Sequence, residues 1–154
     1  AKGHEGKRAH NIINSLYLTP EKLEQLVKER FERYETVKKN EQMAEEYLTE
    51  DADVVLVAYG ASSRVARSAV NKAREKGLKA GLVRPITLWP FPTEALNRAA
   101  SHCKNFLVVE MSMGQMVDDV KLAVDCKVPV HFYGRTGGMI PTPAQVLEQI
   151  EALL

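Results

Sequence analysis

Cysteine is scarce. Cys103 and Cys126 are the only two in 154 residues, far apart and outside any C-x-x-C. Both read as buried reduced thiols of a cytosolic protein, with a disulfide or a metal pair as the alternative. Long apolar runs are missing too. None approaches the ~20 residues that a membrane span needs. No apolar segment follows Ala1-Lys2-Gly3-His4 as a signal peptide would require. Neither sign of charge dominates: 21 Lys and Arg face 20 Asp and Glu, for a formal net charge of +1. No field therefore draws the chain to nucleic acid or to an anionic membrane. There is no G-x-G-x-x-G and no P-loop lysine. No Ser-His-Asp order or metal motif can be assembled. The chain opens on alanine, so a processed chain or an excised piece is expected.

What is present is ordinary soluble globular composition, 45% hydrophobic and 27% charged. The length suits one domain plus an appendage. Residues 1–18 are polar and basic. His4 and His10 have no acidic or cysteine partner at ligand spacing, so this part reads as an extended tail. Thr19-Pro20-Glu21 starts a helix: an N-cap, a proline at the first helical position, an acid in the first turn. The helix is predicted from Pro20 to about Met43, with Glu24/Lys28, Glu29/Arg33 and Glu35/Lys39 as favourable i,i+4 pairs. It packs on its own domain or links two domains of a longer chain.

Strand and helix patterns then alternate. Val54 to Tyr59 is a continuous β-branched run, as in a strand buried on both faces. Ser62 or Ser63 is expected to cap a helix from about Arg64 to Lys76, closed by Gly77. Lys79 to Arg84, Asn105 to Glu110 and Val128 to Tyr133 read as further parallel strands. Helices follow from about Thr93 to Ser101, Met116 to Asp125 and Pro143 to Ala152. The last has Thr142 as cap and Gln145 completing a capping box. Alternation of this kind means an α/β layer fold with right-handed crossovers.

In such folds ligands gather beyond the carboxyl ends of the strands. That edge carries the candidate residues. Ser62 and Ser63 stand at a helix N-terminus, where plain capping is the simple reading and phosphate binding the alternative. Glu110 is a general base or a salt-bridge partner. Arg135, between glycines, is a surface charge or an interface anchor. Arg84 and Gln115 complete the polar set, and His102 and His131 have no visible partner. The segment from Arg84 to Pro92 holds Ile86, Leu88, Trp89 and Phe91 on a rigid, proline-rich path. Arg84 is expected to be the last strand residue, because Pro85 has no N–H for a ladder. Ile86 and Leu88 are expected to pack inward, with Trp89 and Phe91 at a rim facing a neighbouring domain.

Three loop sequences, R-P-I-T-L-W-P-F-P (84–92), V-V-E-M-S-M-G-Q-M (108–116) and G-R-T-G-G-M-I-P-T-P (134–143), resemble the alpha subunit of 2-oxoacid:ferredoxin oxidoreductases. S-L-Y-L-T-P-E (15–21) and E-E-Y-L-T-E-D-A-D (45–53) resemble the 2-ketoisovalerate branch. The resemblance implies the C-terminal, transketolase-C-terminal-like domain, at residues 44–154, after a tail and linker helix at 1–43. It implies a three-layer α/β/α fold of about five strands, mostly parallel, with one antiparallel N-terminal strand; Glu45 to Thr49 is the candidate. It also implies a holoenzyme that uses thiamine diphosphate, magnesium, CoA and iron–sulfur clusters to make acyl-CoA, CO2 and reduced ferredoxin. No cofactor is expected on this piece, which has no G-D-G motif and no cysteine cluster, and no family catalytic residue can be placed on it. The implied partners are other domains of the same alpha chain, other subunits and, indirectly, ferredoxin. The alternative is an independent CoA- or nucleotide-binding module using the same loop edge. A free-standing regulatory protein is the third reading.

Overall fold

A computed structural model describes Gly3 and residues 5–154; His4, half of the histidine pair considered above, lies outside the described residues. The chain divides into two compact units, Ala1–Thr36 and Val37–Leu154. Helix α1 (Pro20–Asn40) begins in the first and ends in the second. In the first unit Lys22 lies over the Tyr17 ring, and Lys28 pairs with Glu24 at 3.0 Å. None of the residues of α1 is buried.

The helix stops three residues before the expected Met43, and the cause lies in the second unit. The Met43 N–H donates to Thr87 Oγ1 at 3.0 Å, and the Met43 carbonyl accepts from Ile86 N–H at 2.9 Å. Backbone committed to an extended pairing cannot also continue a helix.

Five strands follow: β1 (Ala44–Tyr47), β2 (Val54–Val57), β3 (Ala80–Pro85), β4 (Asn105–Glu110) and β5 (Val130–Gly134). Their order in the sheet is β1-β3-β2-β4-β5. Only β1 runs antiparallel, against β3. Helices α2 (Gly60–Glu75), α3 (Thr93–Ala100) and α4 (Met116–Ala123) fill the parallel connections, and α5 (Pro143–Glu151) follows β5. This is the expected fold, with the antiparallel strand where it was placed.

The central strands obey the period of two. Val55, Val57, Phe106 and Val108 face α3 and α4, where Leu96, Ala99, Val117 and Val120 meet them. Val54, Leu56, Leu107 and Val109 face α2 and α5, through Ala66, Val70, Val146 and Ile150. Both faces are dry, so β2 reads as an unbroken apolar run.

Two prolines stand at strand ends, Pro85 and Pro129. Pro85 belongs to β3, one residue beyond the expected end. It lies past the last β2 partner, Val57↔Val83, and faces only Ala44 of β1. Its missing N–H therefore costs no central ladder bond. Pro129 immediately precedes β5, an edge strand paired only with β4, as a proline in that position requires.

The connection between β1 and β2 is pressed against β3. A Cβ added at Gly81 would lie 2.6 Å from the Leu48 carbonyl oxygen. Arg74 clasps the same connection. Its guanidinium reaches both oxygens of Asp51, at 3.0 and 2.7 Å, and the Leu48 carbonyl at 2.8 Å, while Nε donates to Ala80 O at 2.7 Å. The bonds from Arg74 to Asp51 hold its carboxyl below its usual range.

Cys103 is buried, as expected, and burial pushes its thiol pKa up to about 11. Cys126 is exposed instead. It sits with Asp125 in a left-handed turn after α4, φ 51° and 54°, which swings it off the apolar face. Iodoacetamide at mildly alkaline pH is expected to alkylate Cys126 alone. Cys103 should react only after unfolding; mass spectrometry of the labelled peptides checks this.

Candidate functional site

The carboxyl ends of the parallel strands carry the predicted residues, and the topology divides them. The helix after β2 packs on one face of the sheet and the helix after β4 on the other. Between two adjacent strands whose helices diverge, a crevice opens at the sheet edge. Here it has a volume of 230 Å³ and is bounded by Tyr59 to Ser62 on one side and Val109 to Ser112 with Gln115 on the other.

Glu110 ends β4 with its side chain turned back under α4 and only 5% exposed. Its carboxylate accepts the N–H groups of Gln115 (3.1 Å), Met116 (3.2 Å) and Val117 (3.0 Å), and the Ser112 hydroxyl at 2.9 Å. It is neither the general base nor the salt-bridge partner expected from sequence. A buried carboxylate fills the N-terminus of α4, where unpaired N–H groups and the helix dipole favour negative charge. Both its oxygens are engaged by donors of its own chain.

Ser62 and Ser63 are not caps. Helix α2 begins at Gly60, and its N-cap, Tyr59, makes no side-chain capping bond. Gly60 has φ +57°, a turn that favours glycine, and it starts the helix upstream of both serines. Both serines are buried in the first turn, at 6% and 4% exposure. The Ser63 hydroxyl donates to the Gly60 carbonyl at 2.7 Å.

Beside this helix start lies a second cleft of 420 Å³, bounded by Gly60, Ala61, Ser63, Arg64 and Arg84. Arg84 pairs across the sheet with Glu45 at 3.1 Å, and Arg67 hydrogen-bonds the other Glu45 oxygen. Arg67 first, then Arg84, holds the Glu45 carboxyl below its ordinary pKa.

The proline segment departs from the expectation at Ile86, Leu88 and Phe91, while Trp89 is exposed as expected. Ile86, Leu88 and Trp89 are 52%, 49% and 55% exposed. Phe91 is half-buried and packs on the core beside α3, and Pro85, Pro90 and Pro92 are buried. The prolines fix the segment so that its rings face the sheet, and the aliphatic side chains between them point outward. Arg135 is half-buried in the loop after β5, and its guanidinium has no hydrogen-bond or ion-pair partner among the described residues. Met113, Met139 and Ile140 are exposed on neighbouring loops.

Two histidine contacts could not be seen in the sequence. His102 Nε2 lies 2.7 Å from the Thr49 carbonyl, and His131 Nε2 lies 3.1 Å from Asn105 Oδ1. A larger cavity, 690 Å³, opens at the opposite end of the sheet between Thr49 and His102. Four of the charged groups around it are paired, Arg98 with Glu46 and Asp51 with Arg74. Among the described residues no three His, Cys, Asp or Glu side chains are placed to hold a metal.

Comparison with known proteins adds a second line of evidence. The profile of pyruvate:ferredoxin oxidoreductase core domain II matches residues 52–146. The chain is similar to the ketoisovalerate oxidoreductase subunit VorB of Methanothermobacter marburgensis, 45% identical over 143 residues, which is 93% of this chain and 40% of that protein. It is 40% identical over 106 residues to the 2-oxoglutarate synthase subunit KorA of Methanothermobacter thermautotrophicus, covering 69% of this chain and 28% of that one. A 2-oxoglutarate:ferredoxin oxidoreductase structure from Magnetococcus marinus, with 2-oxoglutarate, coenzyme A and succinyl-CoA bound, aligns with a TM-score of 0.72. That match has 21% identity and covers 89% of this chain and 24% of the other, so it speaks for the fold alone. The chain spans 40% of the length of the ketoisovalerate relatives.

Proposed function

We propose, on the premise that this chain belongs to the pyruvate:ferredoxin oxidoreductase core domain II family, that it is an assembly domain of a 2-ketoisovalerate:ferredoxin oxidoreductase. The 45% identity to VorB along 93% of the chain carries this reading. Residues 44–154 form the domain itself, and 1–43 serve as its tail and linker helix. The holoenzyme converts a 2-oxo acid and CoA to acyl-CoA and CO2, and passes two electrons to ferredoxin.

The domain contributes structure to that reaction. Thiamine diphosphate, magnesium, CoA and the iron–sulfur clusters belong to other domains or subunits. The donors on this chain do not suit an iron–sulfur cluster: one thiol is buried with its pKa raised, the other stands alone on the surface. Among the described residues no helix is long and apolar enough to cross a membrane, and we place the assembly in the cytoplasm.

Contacts with the other domains and subunits run through the loop edge. Trp89, Leu88, Ile86, Met113, Met139 and Ile140 are exposed there, and apolar surface gathered on one edge marks an interaction site. Arg135 supplies a guanidinium ready for a partner carboxylate.

Co-expression with the remaining subunits tests the reading. The complex should reduce ferredoxin with CoA and 2-ketoisovalerate, and faster than with 2-oxoglutarate or pyruvate. Trp89→Ala should weaken assembly by about 2 kcal/mol, roughly 30-fold, as an aromatic anchor does. Unchanged assembly would remove Trp89 from the interface. A preference for 2-oxoglutarate would reassign the substrate.

A further inference from the structure

We propose that the N-terminus of α2, with the clefts on either side of it, binds the phosphate group of a small molecule. Gly60, Ala61 and Ser62 would donate backbone N–H groups, Ser62 its hydroxyl, and Arg64 its guanidinium.

The strongest observation is Ser62. The residue is 94% buried, since only 6% is exposed, and it borders the 230 Å³ crevice. Its hydroxyl has no hydrogen-bond partner among the described residues. No fully enclosed side-chain polar atom there is unpartnered, so the hydroxyl reaches the crevice surface. No group of the described chain takes this hydroxyl, so it is open to whatever enters the crevice.

The second observation is the kind of groups left open. Ser63 N–H is used by the Tyr59 carbonyl at 3.3 Å. The N–H groups of Gly60, Ala61 and Ser62 have no acceptor among the described residues. Arg64 is exposed and has no side-chain partner there. At the helix start itself every open group apart from the hydroxyl is a donor, which suits an acceptor as occupant. The positive end of a 16-residue helix favours an anion in that place.

Charge balance agrees. Arg67 and Arg84 share the single carboxylate of Glu45, so one positive charge remains uncompensated beside the 420 Å³ cleft, and Arg64 adds another. Two such charges match a phosphate dianion better than a carboxylate. Glu110 is the carboxylate on the far side of the crevice. Its oxygens are committed to α4 and Ser112, so it recruits no cation. It keeps the anion on the α2 side, against Gly60 and Ala61, which border both clefts.

The test is a phosphate titration of the full chain followed by amide NMR at constant ionic strength, with acetate as the competing anion. Inorganic phosphate should shift the Gly60, Ala61 and Ser62 amide signals and saturate at roughly millimolar concentration. Ser62→Ala and Arg64→Gln should each weaken binding about tenfold, the size of a lost charge-assisted hydrogen bond. Lys127→Gln, on the turn after α4, should leave it unchanged. Arg64 is exposed, so its variant folds even if the buried serine's does not. Shifts that never saturate, equal shifts with acetate, or an Arg64→Gln variant that binds as tightly as the parent would each overturn the proposal.

Discussion

Replacing Glu110 with alanine is expected to lower the stability of the sheet unit by about 3–4 kcal/mol, far more than an ordinary helix cap contributes. The reason is the number of groups that depend on it. The N–H groups of Gln115, Met116 and Val117 and the Ser112 hydroxyl all point at this one carboxylate. Met116 and Val117 are buried, so water cannot simply take its place. Removing the acceptor strands several donors at once, and each stranded donor costs more than the bond was worth. Glu110→Gln keeps the shape and one acceptor oxygen but turns an amide NH2 towards an N–H group. It should fall between the parent and the alanine variant. Thermal unfolding reads the effect as a drop in Tm of roughly 10 °C or more for the alanine change. A shift within about 2 °C would mean that α4 finds another cap and that Glu110 is dispensable.

The second large effect is expected at Gly81. Here the constraint is space, not backbone conformation. An alanine methyl would stand 2.6 Å from the Leu48 carbonyl oxygen and 3.0 Å from the Leu48 carbonyl carbon and Thr49 Cα. All three are backbone atoms, so no rotamer change relieves the clash. The 48–49 backbone must move, and it is held: Leu48 O by Arg74, Thr49 O by His102 and by Ala52 N–H. A cost of about 3 kcal/mol is expected, at the upper end for overpacking by one methyl. The Arg74 clasp supplies the check. In the Gly81→Ala background, Arg74→Ala should cost much less than in the parent, because the clash has already pulled the clasp open. Strict additivity of the two changes would show that the strain is absorbed elsewhere.

These two sites mark the limit of what the sequence discloses. The strands of the core were legible because β-branched runs such as Val54 to Val57 have one physical reading once helices alternate with them. The last helix was legible to its cap, because Thr142 and Gln145 carry their own instructions: the reciprocal bonds are 3.3 and 3.1 Å. The antiparallel strand was placed by resemblance; its pattern alone, Ala-Glu-Glu-Tyr, is too short to decide.

What failed were features set by geometry. Ser62 and Ser63 look like caps until Gly60 adopts a left-handed φ and starts the helix upstream. Glu110 looks like a lone acid until the turn after β4 brings a helix N-terminus back onto it. In the proline segment, composition says that apolar side chains must be buried somewhere, but only the path decides which. Phe91 went inward, while Ile86 and Leu88 stayed out. The contacts of Arg74 with Asp51 and of His102 with Thr49 join residues 23 and 53 positions apart, and no local pattern encodes them.

The reversed direction of β1 has a mechanical consequence. Because Ala44 pairs with Pro85 and Tyr47 with Leu82, the backbone enters the sheet at the loop-bearing end. It leaves at the other end, where Leu153 accepts from the side chain of Asn105, the first residue of β4, and Lys76 grips Glu151. Tension between Ala44 and Leu154 would therefore pull β1 lengthwise along β3. The four residue pairs of that ladder would be loaded together, in shear, with the Glu45–Arg84 pair across the two strands bearing part of the load. A strand running the other way would instead be peeled from its end, one pair at a time.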